Sequence, residues 1–465
     1  MKRKPINDNI LKTTYIFTLL FTILVIYVLC FVIFESKDII DNSYNKRVDT
    51  LSNFVDKGNI YSNNMEILAT TDKETGKRIY PYNDLFCHVV GSTYYGESGL
   101  ELAYNFEMLN SDINLFTKLG NEFSGNKNPG DSIVTTLDVS LQQACSLAMS
   151  NFNGAAIVMN PKNGDVLAMV SNPGYNPNDI ENEWESLSQS TNGELLNRAT
   201  QGLYTPGSTF KLFTLYDYLT THKDTYKNYT FTCKGTVDFE DYSISCSGHT
   251  WHGNEDLLKS FANSCNGSFV TLAKDITSKS LLDVCNKLLF NSKLPIEIEY
   301  KESTFLLTEE DSDFIKNQTV IGQGETLISP MHLALVMNAI ANDGVLIKPR
   351  FVTARINSSN KVLEEYSSLE YASLFTKEES STLKEFLRAV VTEGTASSLN
   401  ISAYTLYGKT GTAQIDTNGN VNSWFTGILE YNGETYTICV VAEKVNENNT
   451  PAKEITRKII EKITN

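Results

Sequence analysis

The sequence is short of positive charge: 39 Lys and Arg stand against 55 Asp and Glu, for a formal net charge of -16 at pH 7. Nucleic-acid binding needs clustered basic side chains to neutralise phosphates, so no nucleic acid is expected as a partner, and the acidity reads as a solvated surface. Cysteine is sparse for a disulfide-built scaffold, with eight in 465 residues. No internal repeat recurs, and no long low-complexity linker interrupts the chain. What remains is an ordinary globular composition, 41% hydrophobic and 20% charged, long enough for two or three domains.

Long apolar runs are lacking too, with one exception. Tyr15 to Phe34 reads YIFTLLFTILVIYVLCFVIF, 20 residues without a charge. At about 1.5 Å per residue such a helix crosses a hydrocarbon core of about 30 Å. Lys2, Arg3, Lys4 and Lys12 precede it. The positive-inside rule then keeps the N-terminus cytoplasmic and places about 430 residues outside the cell membrane. A cleaved signal peptide would have a shorter apolar run and a small-residue cleavage site, but ESKDII follows. The expected organisation is a cytoplasmic tail (1–12), a single-pass anchor (13–34), a small β-rich N-terminal pedestal or linker region (35–135) and a large catalytic domain (136–465).

Residues 35–135 are polar with short apolar runs such as Leu85–Val90, and read as strands and loops without a strong core. Near Ser132 the pattern changes. A β-rich run leads into helical spacing at Leu141, Ala144, Cys145, Leu147 and Ala148, with Asp138 or Ser140 as cap. Ala155–Met159 and Val166–Val170 flank Pro161-Lys162-Asn163-Gly164, a strong hairpin signal. Helical segments are expected around 208–220 and 255–275, strands around TLYGKTGTAQ, SWFTGILEY and ETYTICVVAEK, and a last amphipathic helix from about Pro451 to Ile463. Strands far apart in sequence with helices packed on them make an α+β fold: an antiparallel sheet with helices on both sides.

Three motifs carry chemistry. Ser208-Thr209-Phe210-Lys211 starts a helix, where residues three apart share a face, so the Lys211 amine can reach the Ser208 hydroxyl. A serine is a weak nucleophile until a base takes its proton, and a desolvated lysine can be that base. Ser264-Cys265-Asn266 offers a hydroxyl and a carboxamide two residues apart. Lys409-Thr410-Gly411-Thr412, on an expected strand, suits an edge that binds an extended peptide and its carboxylate, with glycine allowing close approach. The GKT within it is not a phosphate-binding loop, because the required glycine five residues before Gly408 is replaced by Ala403. Each motif alone is weak. The ordered triple, at spacings of 56 and 145 residues, is specific.

These motifs are the signature set of penicillin-binding proteins and serine β-lactamases. GAAIVMNPKNGDVLAMVSNPGYNPN, NRATQGLYTPGSTFK and IGQGETLISPMHLALVMNAIANDG resemble segments of the penicillin-binding transpeptidase domain. DLFCHVVG and SGLELAYNFEML resemble the linker of class B members, and GNIYSNNMEILA a degenerate pedestal motif. The resemblance covers most of residues 55–450 and implies a monofunctional peptidoglycan D,D-transpeptidase, a serine-type enzyme. Only about 100 residues lie between anchor and catalytic domain, too few for a class A glycosyltransferase domain. The chain ends about 50 residues after Lys409, so no further C-terminal repeats are expected.

By this resemblance Ser208 attacks the D-Ala-D-Ala carbonyl of a stem peptide, Lys211 is the general base and Ser264 relays a proton to the leaving group. Asn266 binds the donor stem or an antibiotic side chain, and Lys409, Thr410, Gly411 and Thr412 bind the terminal carboxylate. Backbone N–H groups of Ser208 and Thr412 form an oxyanion hole. β-Lactam antibiotics acylate the same serine, and no organic cofactor is implied. The partner implied is a polytopic membrane glycosyltransferase. A D,D-carboxypeptidase, a β-lactamase, and a non-catalytic scaffold or β-lactam sensor are the alternatives.

A second constellation lies at Cys233, Cys246, His252 and Cys265. Three thiolates and an imidazole make a tetrahedral structural zinc set. Spacings of 13, 6 and 13 are not those of a zinc finger. Some class B members hold zinc at similar spacings, so the resemblance implies a structural Zn2+ here. Free thiols, a Cys233–Cys246 disulfide, and His249 in place of His252 stay open at this level. His88, His222 and His332 have no sequence partners and read as structural or exposed.

Overall fold

The computed structural model of the protein describes residues 8–31, 51–416 and 418–465. The expected cytoplasmic tail up to residue 7, the end of the expected anchor at 32–34 and the pedestal region up to residue 50 lie outside the described residues. Helix α1 (Asp8–Cys30) includes 21 residues, Ile10–Cys30, of mean hydropathy 2.2, none of them buried. It is long and apolar enough to cross a membrane. Its hydroxyls are satisfied internally: Thr14, Thr18 and Thr22 each donate to the carbonyl four residues earlier, at 2.8–2.9 Å.

Residues 51–135 depart from the expectation of strands and loops without a core. Short strands at Ile60–Tyr61, Ile67–Thr71, Arg78–Ile79 and Ser132–Thr135 are interspersed with helical turns at Gly99–Ala103, Asn105–Met108 and Leu115–Phe123. The run Leu85–Val90 begins inside a 3-10 turn (Asn83–Phe86) and forms no strand. Phe86, Val89, Val90, Leu100 and Met108 are buried in a core continuous with the rest of the chain. The physical reason is long-range pairing. Val352–Ile356 runs antiparallel to Ser132–Thr135, and Val362–Glu365 completes a six-stranded sheet that takes strands from both sides of residue 135.

The larger part is built on a five-stranded antiparallel sheet. Helix α2 (Val139–Met149) is capped by Asp138, whose carboxylate accepts from the Leu141 N–H at 2.8 Å. It leads into the expected hairpin, β1 (Gly154–Met159) and β2 (Val166–Asn172). Gly164 in the connection has φ +79°, and a Cβ there would lie 2.3 Å from the Lys348 carbonyl oxygen, so glycine is required. Helices α3 (Lys211–Thr221), α4 (Leu257–Ala262), α5 (Asn266–Leu272), α6 (Pro330–Ala341) and α7 (Lys377–Thr392) follow. Strands β3 (Thr405–Gln414), β4 (Asn420–Tyr431) and β5 (Glu434–Asn446) and helix α8 (Ala452–Thr464) complete the chain.

The strand order is β3-β4-β5-β1-β2, so β5 joins the late strands to the early hairpin, with Val440 opposite Ala156. Helices α2 and α8 pack together against the sheet, and α6 and α7 form a further helical layer. Helix α6 (PMHLALVMNAIA) is apolar nearly all round and is buried over Pro330–Ile340, lying against β1, β4 and β5. This is the α+β transpeptidase-like architecture expected. Strand β3, which carries Lys409-Thr410-Gly411-Thr412, is an edge of the sheet.

Candidate active site

Ser208, expected to start the helix, sits just ahead of it in a 3-10 turn (Gly207–Thr209), and α3 proper begins at Lys211. Gly207 has φ +53°, and a Cβ on it would meet the Thr412 carbonyl oxygen at 2.5 Å. A Cβ on Gly411 would lie 2.8 Å from Thr209 Cγ2. Two glycines therefore let the Ser208 turn press against β3. The Gly207 N–H donates to the Gly322 carbonyl at 2.9 Å, and the buried Trp424 indole donates to the Thr205 carbonyl at 3.1 Å. Behind the turn, Phe210 stacks on Phe213 and Phe305, with Phe290 edge-on, all fully buried. Each such ring contributes about 1.5–3 kcal/mol of burial, enough to fix the start of α3.

Ser264 breaks the helical run expected over 255–275. It holds φ +56°, an uncommon conformation for a residue with a Cβ. Local bonds hold it: Ser264 N–H donates to the Phe261 carbonyl at 3.1 Å, Cys265 N–H to Ser260 at 2.9 Å, and the Asn263 amide to Glu255 at 2.8 Å. The turn sends Ser264 and Asn266 toward Lys211, while Cys265 is fully buried among other sulfurs.

The three motifs meet at two buried lysines. Lys211 Nζ lies 3.0 Å from Ser208 Oγ, 2.9 Å from the Ser264 carbonyl, 3.2 Å from Ser264 Oγ and 2.6 Å from Asn266 Oδ1. Lys409 Nζ donates to Ser264 Oγ at 2.9 Å and to its neighbour's carbonyl, Thr410 O, at 3.2 Å. Neither lysine is accessible to solvent, and the ammonium positions lie over the rings of Phe269 and Phe261, at 5.6 and 5.4 Å. Burial lowers Lys211 to about 8, against the opposing pull of Cys265, Cys246 and Glu255. Burial, then the charge of Lys211, lowers Lys409 well below the usual amine value. As a free amine, Lys211 has two N–H groups and one lone pair. The N–H groups suit the Ser264 carbonyl and Asn266 Oδ1, which leaves the lone pair facing the Ser208 hydroxyl.

Cys233, Cys246, His252 and Cys265 also converge, with their ligand atoms all within 4.8 Å of one another. The Cys233–Cys246 and Cys246–Cys265 sulfur separations are 3.8 Å, and Cys233 Sγ lies 3.4 Å from His252 Nδ1. All three cysteines are free and buried, so no Cys233–Cys246 disulfide forms. The Gly235 and Ser268 N–H groups donate to Cys233 and Cys265, each at 3.4 Å. The Cys265 thiol donating to Cys246 holds Cys246 well below the usual thiol value and raises Cys265 for the same reason. His249 lies outside this group and sits 3.4 Å from the Thr236 hydroxyl.

Residues 154–461 match the family model described as the penicillin binding protein transpeptidase domain. The chain belongs to this family. It is similar to stage V sporulation protein D of Bacillus subtilis, 27% identical over 73% of this chain and 55% of the relative. It is also similar to the peptidoglycan D,D-transpeptidase MrdA of Acinetobacter baumannii, 27% identical over 73% of this chain and 56% of the relative. The chain spans little more than half the length of these two relatives. In structure it is similar to the D,D-transpeptidase domain of a peptidoglycan glycosyltransferase from Eggerthella lenta. There the TM-score is 0.77 and the identity 26%, over 88% of this chain and 97% of that one.

Penicillin-binding motifs alone do not reveal every contact around the site. Ser245, whose carbonyl accepts from the Asn266 amide at 2.8 Å, and Thr395, whose hydroxyl lies 2.6 Å from that of Thr410, carry no sequence signal, because each meets its partner only through the fold. The remaining histidines are structural or peripheral: His88 bonds the Glu194 carbonyl, His332 bonds the Leu288 carbonyl, and His222 stacks on Tyr218.

Proposed function

We propose that the protein is a peptidoglycan D,D-transpeptidase that cross-links stem peptides through an acyl-Ser208 intermediate and is acylated there by β-lactams. The observation that carries this reading is the position of the Lys211 amine, in hydrogen-bond reach of Ser208, Ser264 and Asn266 at once. Ser208 Oγ attacks the carbonyl of the penultimate D-Ala and Lys211 accepts its proton. Ser264, bridging the two lysines, passes a proton to the amine of the departing D-Ala. Thr410 and Thr412 on the edge strand, with Lys409, bind the terminal carboxylate, and the N–H groups of Ser208 and Thr412 stabilise the oxyanion. An amine of a neighbouring stem then attacks the ester, and Ser208 is released.

The apolar helix α1 supports a membrane anchor, and the basic residues before it favour a catalytic domain outside the cell. The partner proposed for this site is a polytopic membrane glycosyltransferase that supplies new strands. The four-residue sulfur and imidazole cluster suits a structural Zn2+. A tetrahedron with bonds of about 2.3 Å has edges of about 3.8 Å, which the sulfur separations match. Bound there, the ion would tie together the segments that carry Cys233, Cys246, His252 and Cys265, and would supply no chemistry to the acyl transfer itself.

The test is incubation of the full chain in detergent with nascent glycan strands bearing D-Ala-D-Ala stems. Cross-linked products with release of one D-Ala per link are expected. Release of D-Ala without links would make the protein a carboxypeptidase, and no release at all would leave it a scaffold. Metal analysis of the purified protein, with Cys233→Ser as control, should find one zinc per chain in the wild type alone.

A further inference from the structure

The segment after α7, Glu393-Gly394-Thr395-Ala396, is outside all three motifs, yet it touches two of the structures that carry them. The Thr395 N–H donates to the Ala262 carbonyl at 3.1 Å, two residues before Ser264. A Cβ on Gly394 would lie 2.2 Å from that same oxygen, so the strap can lie this close only with glycine there. The Thr395 carbonyl accepts from Lys453 Nζ at 3.2 Å, which ties the strap to α8. The Thr395 hydroxyl, 2.6 Å from that of Thr410, then reaches β3. Both threonines are half-buried.

We infer that Thr395 is a positioning residue for carboxylate recognition: its hydroxyl donates to Thr410, and so turns the single Thr410 proton outward to the substrate's terminal carboxylate. This rests on the proposed function. A hydroxyl has one proton and two lone pairs. If Thr410 donated to Thr395, a lone pair would face the anion and repel it. With the order reversed, Thr395 to Thr410 to carboxylate, each bond polarises the next and the last is charge-assisted. The backbone anchors of Thr395, on Ala262 and Lys453, hold the donor in place without any contact to substrate.

The test compares acylation of the full chain by penicillin G and by its carboxyl methyl ester, which keeps the lactam and removes the charge. The quantity read is the ratio of the two second-order acylation rate constants, to which only folded protein contributes. Thr395→Val, nearly isosteric, should lower the acid-to-ester ratio about tenfold, the size of a lost charge-assisted bond. Thr395→Ser should restore it to within about twofold of wild type, because the hydroxyl returns. In a Thr410→Val background, Thr395→Val should change nothing further. Equal loss of both rates in Thr395→Val, an unchanged ratio, or failure of the serine variant to restore it would each overturn the assignment. A wild type acylated by neither compound would overturn the proposed function and this inference together, whereas an acylated wild type with an unchanged variant ratio overturns this inference alone.

Discussion

Two polar centres lie back to back on one short segment. Ser264 and Asn266 face the lysine cleft, and Cys265 between them faces the sulfur cluster. The cleft draws its groups from positions 208 to 409, on elements rooted in the main core. The cluster draws its four from residues 233–265, and among the described residues only Phe231 of the partly buried apolar side chains packs against it. The cleft can therefore be held by the surrounding fold, with its buried amines satisfied by hydrogen bonds and aromatic faces. The cluster has no comparable core of its own, and its geometry depends on what the sulfurs share. One turn is thus held in place for two different reasons.

The largest effect belongs to the cleft. Ser208→Ala should abolish covalent labelling by a fluorescent penicillin while leaving the melting temperature near wild type; persistent labelling would remove Ser208 as nucleophile. Lys211→Met should lower the acylation rate by about 10²- to 10⁴-fold, the range of a lost general base, and a rate within tenfold of wild type would show that another group takes the proton. The pH profile sharpens the same point. Lys211 acts as its free amine, so acylation should climb as pH rises through about 8 and fall below it; a profile flat from pH 6 to 9 would exclude that role.

The cluster should respond differently. Chelation, or Cys233→Ser, should lower the melting temperature by about 3 °C, equivalent to roughly 2 kcal/mol in a domain of this size, and should slow acylation through Asn266 and Ser264. An unchanged melting temperature would separate the two centres and break the comparison. The smallest effect lies away from both: Asp138→Ala removes the cap of α2 and should cost about 1 kcal/mol, with penicillin labelling unaltered.

The sequence displays what is local and chemical. Residues three apart announce the Ser208–Lys211 pair, Asn163-Gly164 announces the hairpin, and a charge-free run announces α1. What it hides is long-range or conformational. The left-handed backbone of Ser264 falls on a residue type that rarely adopts it, so nothing in FANSCNGSF signals a break between α4 and α5. The pairing of Val352–Ile356 with Ser132–Thr135 spans more than 200 residues, and without it the pedestal region looks coreless. The choice of His252 over His249 for the cluster was open in GHTWHG because the two lie three residues apart; the backbone decides it, with His249 at φ +53° and turned to Thr236.

The strands at the head of the pedestal also have a mechanical meaning. Val55–Asp56 runs parallel to Asn128–Pro129, and Ile60–Tyr61 lies between Ile67–Thr71 and the parallel Ser132–Thr135, which in turn pairs with Val352–Ile356. Both short strands are thus tied to residues 128–135, and through them to Val352–Ile356. Pulling residues 55–61 away therefore breaks pairings with residues 67–69 and with residues 128–134 at once.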